Sequence, residues 1–397
     1  MPLMQLLVPK HHFISTMAPI HIGGSHSRKD RSMRNSAPMD RPAKRLDPSA
    51  RRALTACLPA ALFMLAAPPS AHARDGSSPD YGANTGTAFA AMEHSLRAAI
   101  DTKHTITLPP RVEWPNGIAF DGEGRLLVGA ITAPVIARFE SGAWTEIDVA
   151  APGIFSVTSL THDPRRNLVW GTSPAFLDED SDQQHGLYAL EGEELGLVRF
   201  LRLPDDGFAN DTEMAFDGRL LVTDSVNGRI LAYDWERDAF EVLVEDERLK
   251  PLNRVGAAGV AVDPQGRVYV ANFETGALLI LADGALRPIA LARPLENPDG
   301  LALTEDGALL VAEGAVQSGN GRLLRIPEPS APGPRPVETA SERIESPVNL
   351  AVGPDGVAYV TESRIRRKIG PDPTEARPYD FRVIVSELAA DAGQSSE

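Results

Sequence analysis

One pattern is written six times along this chain, and it limits what the chain can fold into more than any single motif does. WPNGIAFDGEGRLLVG begins at Trp114, VTSLTHDPRRNLVWGTS at Val157 and ANDTEMAFDGRLLVTDS at Ala209. AAGVAVDPQGRVYVANF begins at Ala257, ENPDGLALTEDGALLVAEG at Glu296 and SPVNLAVGPDGVAYVTES at Ser346. Each copy reads as a short strand, a tight turn and a second strand rich in Val, Leu and Tyr. The turn glycines Gly218, Gly266, Gly307 and Gly356 are separated by 48, 41 and 49 residues. Further strands follow the pair, as in GRILAYD and AFEVLVED between Gly228 and Asp246. A four-stranded unit of this size cannot bury both faces alone, so copies must pack around a common axis. The pattern predicts an all-β fold, a six-bladed β-propeller spanning residues 104–386. Lys103 to Leu108 has strand character and is placed to pair with the last blade and close the ring.

The N-terminal part has a different composition. Residues 53–67, ALTACLPAALFMLAA, form an apolar run of 15, short for a membrane span. Arg51 and Arg52 precede it, and Ala71, His72 and Ala73 follow. This order reads as a signal peptide over 39–73, cut after Ala73 to leave a periplasmic or secreted protein with no stable membrane span. Met39 is the natural start on this reading, and 1–38 is a non-native or disordered extension. Both general secretion and twin-arginine export remain open. Residues 74–103 form a lead-in with a helix over 87–101, and 387–397 a disordered tail.

Removing residues 1–73, which carry ten Lys/Arg and three Asp/Glu, takes the net charge from −15 to −22. A chain this acidic repels phosphate backbones, so a small-molecule substrate or ligand is expected and a nucleic acid is not. The single cysteine, Cys57, leaves with the signal, and thiol chemistry and disulfides leave with it. The chain has no dinucleotide fingerprint, Walker loop or nucleophile elbow.

In a propeller the innermost strand of each blade begins on the same face where the second strand ends. Two sets of positions are therefore expected at one channel mouth. Alignment on the turn glycines places Asn116, Thr158, Asn210, Ala258, Asp299 and Val348 in the first set, with Asn349 beside it. Ala130, Thr172, Asp224, Asn272, Glu313 and Glu362 form the second, of which Asp224, Asn272, Glu313 and Glu362 are expected to contact substrate. Oxygen-rich sets of this kind suit calcium or magnesium, and zinc less often. Asn-Gly and Asp-Gly are also ordinary turn dipeptides, so each residue has a purely structural reading as well. Glu213 has two registers. One puts it where other blades have Ala119, Ala261, Ala302 and Ala351, near the axis; the other puts it in the mouth.

NPDGLALTEDGALLVAEG and WPNGIAFDGEGRLLV resemble the six-bladed propellers of the senescence marker protein, gluconolactonase and luciferin-regenerating-enzyme family. That resemblance implies a divalent cation at the mouth and hydrolysis of a small lactone or ester. It also implies that Asp299 stands at the fifth-blade metal ligand and Asn210 at the third-blade asparagine. Asn116 and Ala258 stand where the family has a first-blade Glu and a fourth-blade Asn. The metal set expected here is Asn116, Asn210 and Asp299, with Asp299 or Glu213 taking up a proton. Two other readings of the same axis are a non-catalytic propeller that binds a small molecule or peptide, and a metal-free lyase relying on Glu213. The acidic stretch Ser173 to Gly186 reads as a solvated lid, His162 and His185 as packing and loop residues, and Arg364, Arg366, Arg367 and Lys368 as a solvated edge.

Overall fold

The computed structural model describes residues 105–174, 186–374, 376–378 and 380–388. The expected extension, signal segment and lead-in helix, most of the acidic connection after Ser173 and most of the expected tail lie outside the described residues. Among the described residues no helix is long and apolar enough to cross a membrane.

The described chain forms six four-stranded antiparallel sheets, the predicted six-bladed propeller. Five blades are continuous meanders. Their innermost strands are Pro115–Phe120, Ser159–Asp163, Ala209–Met214, Ala257–Val262 and Pro298–Leu303. The sixth is built from Pro347–Val352, Ala358–Glu362 and Arg382–Ser386, and its outer strand is Thr105–Thr107 from the other end of the chain. Ile106 pairs with Val383 in this closing sheet. First and last blade are thereby tied together, and the strand edge of Arg382–Ser386 is covered.

Burial follows the radial order of the strands. The second strands Leu126–Ala130, Leu220–Asp224, Val268–Asn272 and Leu309–Glu313 are buried at every position. The outer strand Ala239–Glu245 has no fully buried residue. Blade-to-blade packing therefore rests on both faces of the second and third strands, which explains their near-continuous apolar sequences.

The repeated aspartate that precedes each turn glycine is a turn former. Asp121 accepts from the backbone N–H groups of Glu123 and Arg125, and Asp263 accepts from those of Gln265 and Arg267. Gly218, Gly266, Gly307 and Gly356 have φ of 91°, 77°, 80° and 74°, a region where a side chain is strained.

The innermost strands carry the feature that builds the site. In five blades the pairing with the second strand slips just after the strand begins. The slips lie between Pro115 and Ile118, Ala209 and Thr212, Ala257 and Val260, Pro298 and Leu301, and Pro347 and Leu350. Each bulge frees two residues from the ladder and re-aims their side chains. The register also decides Glu213. Glu213 pairs with Leu221 as Ala119 pairs with Leu127, Ala261 with Tyr269 and Ala302 with Leu310. Glu213 thus occupies the crowded alanine position on the channel wall.

Candidate functional site at the channel mouth

The bulges deliver Asn116, Asn210, Asp299 and Val348 to one cavity at the axis, and Thr158, at the start of blade 2, which has no bulge, lines it as well. Ala258 stands at the equivalent bulge position but is not among the lining residues. Phe208, Phe273, Ile365 and Ile369 surround this polar floor. The described cavity measures about 30 Å³, room for one or two water-sized occupants. Close backbone approach makes the floor narrow. A Cβ on Gly259 would sit 2.0 Å from the carbonyl oxygen of Asp299, and one on Gly300 would sit 2.5 Å from Asn349 Oδ1.

The floor offers oxygen atoms. Among the described residues no cation or hydrogen-bond donor engages the Asp299 carboxylate. Burial, and secondarily the neighbouring Asp211 carboxylate, raise its pKa well above the ordinary range. Asn210 Nδ2 donates to Ser225 Oγ at 2.9 Å, and Ser225 Oγ uses its own proton on the carbonyl of Ala257. Ser225 must therefore accept from Asn210, which turns the Asn210 carbonyl oxygen away from Ser225 as a free acceptor. The amide of Asn116 has no side-chain partner among the described residues. One carboxylate and two amides line this one cavity, and oxygen donors of this kind are what a hard cation takes.

The second set does not come into the mouth, which corrects the expectation for Asp224, Asn272, Glu313 and Glu362. All four are buried with their polar atoms engaged. Glu313 receives a bidentate pair from Arg293 at 2.8 and 2.9 Å, Arg322 at 3.1 Å and the backbone N–H of Glu296 at 2.9 Å. Glu362 binds Arg382 at 2.8 Å, Arg364 at 3.1 Å and the backbone N–H of Glu345 at 3.0 Å. Asp224 binds Arg229 and the backbone N–H of Phe208. Asn272 donates to the carbonyls of Arg248 and Lys250 and accepts from the backbone N–H groups of Glu274 and Thr275. These side chains fasten the connections that wall the mouth, a structural role forced by the cost of burying an unpaired charge.

Below the floor the channel narrows at Asp211. Its carboxylate accepts from Ser159 Oγ at 2.8 Å, from the backbone N–H of Val260 at 3.1 Å and, at 3.5 Å, from Asn349 Nδ2. One side chain from blade 3 thus joins blades 2, 4 and 6 across the axis. Gly117, Gly259 and Gly300 supply no side chain at the corresponding bulge positions of blades 1, 4 and 5. Burial raises the Asp211 pKa, and its hydrogen bonds oppose that rise in part. Sequence reading missed this residue as a site element. The signal that was present is the pairing of Asp211 with Gly117, Gly259 and Gly300 in the aligned repeats.

Glu213 lies beyond that neck. It lines a second cavity of about 370 Å³ that it shares with Asp211, and Asp299 is absent from its walls. The structure therefore separates Glu213 from Asp299, where the sequence left open a shared mouth. Glu213 retains some accessible surface, but that surface faces the channel lumen, where a charge is poorly solvated. Burial, then repulsion from Asp211, push its pKa up to about 8, with the Met214 backbone N–H opposing.

His162 borders the same lower cavity, 3.4 Å from Asn167 Oδ1. The basic cluster is less solvated than its sequence suggests. Arg364 is 6% exposed and paired with Glu362, Arg367 grips Glu345 at 2.6 and 2.8 Å, and Lys368 lies 5.1 Å above the Trp114 ring.

No family model and no curated protein matches the chain. Solved structures do. A streptogramin B lyase superposes with a TM-score of 0.50 at 16% identity over 72% of this chain and 87% of its own. A putative oxidoreductase (glucose dehydrogenase) from Thermus thermophilus gives 0.50 at 19% identity over 71% and 98%. The luciferin-regenerating enzyme gives 0.50 at 14% identity over 69% and 93%. The neighbours are named for different reactions, and at these identities the likeness is one of fold. The chain is a six-bladed β-propeller that shares its architecture with the luciferin-regenerating enzyme.

Proposed function

We propose that the protein is an exported hydrolase of a small lactone or ester, acting at the channel mouth with a divalent cation held by Asn116, Asn210 and Asp299. The observation that carries this reading is the Asp299 carboxylate. It is aimed into a narrow cavity with two amides beside it and no donor or cation among the described residues to neutralise it. Such a group is costly to bury unless its natural occupant supplies positive charge or a proton. The cation would polarise a substrate carbonyl and acidify a bound water. Asn210 presents a fixed oxygen because Ser225 holds its amide nitrogen. Asp299 would be the charged ligand of that cation. Phe208, Phe273, Ile365 and Ile369 would limit the water that reaches the floor. Calcium suits the all-oxygen set best, followed by magnesium and zinc.

Calorimetry with each cation, together with hydrolysis of a panel of small lactones and esters, tests the proposal. Saturable cation binding and turnover that fall together in Asp299→Asn support it. Binding of a small molecule without turnover leaves the non-catalytic propeller, and absence of any cation binding removes the metal. Export is a separate part of the reading, and N-terminal sequencing of exported protein should begin at Arg74.

A further inference from the structure

Blade 2 reaches the mouth differently from its neighbours. Its innermost strand, Ser159–Asp163, pairs with the second strand without a slip, and Thr158 just before it lines the cavity. The hydroxyl partner of Thr158 is Thr172, which is fully buried. Thr172 stands in the second set, where blades 3 to 6 have Asp224, Asn272, Glu313 and Glu362, the fasteners of the connecting loops. Thr172 is used otherwise. Its Oγ1 lies 2.9 Å from the carbonyl oxygen of Asn210 and 2.8 Å from Thr158 Oγ1. A carbonyl oxygen can only accept, so the single Thr172 hydroxyl proton goes to Asn210. Thr158 must then donate to Thr172. The other acceptor beside the Thr158 hydroxyl, a carbonyl at 3.4 Å, belongs to the same Thr172. Thr158 is left with lone pairs and no proton for a ligand.

Ser225 does the same for Asn210. Its proton goes to the Ala257 carbonyl and its oxygen accepts from Asn210 Nδ2 at 2.9 Å, so the amide keeps its oxygen for another partner. Asn210 is thus held twice, by its backbone carbonyl from blade 2 and by its amide nitrogen from its own blade. Blade 1 has Ala130 and Ile131 at the places of Asp224 and Ser225, so neither place offers Asn116 a hydroxyl. We propose that Thr172 and Ser225 are positioning residues that set the polarity of the mouth. By taking the protons of Thr158 and Asn210 they make both residues oxygen acceptors, and the mouth favours a cation over an anion. This inference rests on the cation reading above and adds the two hydroxyls that aim its oxygens. An anion would need the protons that Thr172 and Ser225 hold back. Without Ser225 the Asn210 amide is free to turn its nitrogen to the cavity. Without the Thr172 hydroxyl, the Thr158 proton keeps only the long contact to the Thr172 carbonyl.

The test is titration calorimetry of the whole protein with calcium, magnesium and zinc chlorides, at a temperature where melting curves show each variant folded. Thr172→Val keeps the shape and removes the hydroxyl, Thr172→Ser keeps the hydroxyl, and Ser225→Ala removes the acceptor of Asn210. Tyr269→Phe is the control for stability alone. It removes a buried bond of 2.9 Å to Asp263, at the turn that ends the blade away from the mouth. The unsubstituted protein is expected to bind at least one of the cations. Thr172→Val and Ser225→Ala should each weaken that affinity by about tenfold or more. Thr172→Ser and Tyr269→Phe should stay within about twofold, although Tyr269→Phe melts lower. Affinity unchanged in Thr172→Val or Ser225→Ala, or an equal loss in Thr172→Ser or Tyr269→Phe, would overturn the positioning role and leave the cation reading standing. No binding of any of the three cations by the unsubstituted protein would overturn the cation reading, and the positioning role with it.

Discussion

Ser159 in blade 2 donates its hydroxyl proton to Asp211 in blade 3, with 2.8 Å between the oxygens. Ser159 Oγ in turn accepts from the Thr212 backbone N–H at 3.1 Å. Because Val260 and Asn349 also donate to Asp211, a single carboxylate couples four of the six blades across the axis. The same charge raises the proton affinity of Asp299 above it and of Glu213 below it. Mouth and lower chamber are distinct spaces in one electrostatic field.

Asp211→Ala should therefore destabilise the propeller. It orphans the Val260 N–H and the Ser159 and Asn349 donors, and each buried unsatisfied group costs about 1–3 kcal/mol. Relief of repulsion with Glu213 and Asp299 offsets part of this. A net loss of roughly 2–4 kcal/mol is expected in urea unfolding. Unchanged stability would mean that water replaces all three bonds.

The pH dependence follows from Glu213. Its folded pKa of about 8 lies above the ordinary 4.5, so between these values the folded state holds a proton that the unfolded state has released. The stability linked to this group is complete below about 4.5 and is lost as pH rises through about 8. Melting temperature should decline across that window, and Glu213→Gln should flatten the decline. An identical profile in the variant would assign the slope to other groups.

Gly259→Ala probes the mouth without touching a proposed ligand side chain. The new Cβ would meet the Asp299 carbonyl oxygen at 2.0 Å, and backbone cannot swing aside as a flexible side chain can. A loss of about 1–3 kcal/mol is expected from overpacking. If the cation site is real, cation affinity should fall with it, because the Asp299 bulge must move. Full stability with full affinity would show that blades 4 and 5 separate easily.

Glu313→Gln separates a fastening role from a substrate-contact role. The carboxylate is 2% exposed and serves Arg293, Arg322 and Glu296, while the two arginine side chains are about one-third exposed. Partial exposure of those partners moderates the loss, and a stability decrease of roughly 1–3 kcal/mol is expected. A structural fastener lowers the melting temperature with little change in KM for any substrate found. A raised KM with unaltered stability would return Glu313 to the ligand.

Deleting residues 103–109 should open the ring. Thr105–Thr107 covers the Arg382–Ser386 strand, so removal leaves a bare edge and should lower the melting temperature or cause aggregation, read by light scattering. Unaltered solubility and stability would place ring closure in the remaining strands of blade 6.

The repeat by itself determined the fold, the blade count and the closing strand. Apolar alternation, turn aspartates and turn glycines are local signals that recur every 40 to 50 residues, and each acts within one hairpin. It also placed Asn116, Asn210 and Asp299 at the mouth, because a residue next to the start of an innermost strand faces the axis in any ring of such blades. Tertiary structure decided what these positions are for. Glu313 and Glu362 look like mouth ligands in the sequence, but Arg293 and Arg382 stand 20 residues away from them and claim their oxygens. Asp211 meets partners 52, 49 and 138 residues distant, pairings that depend on where the bulges leave each strand at the axis. Glu213 was ambiguous because a shift in register changes the wall it faces, and only its pairing with Leu221 resolves it. Local patterning sets strands and turns, whereas the neighbours of a buried charge are set by convergence of distant blades, which one sequence does not encode position by position.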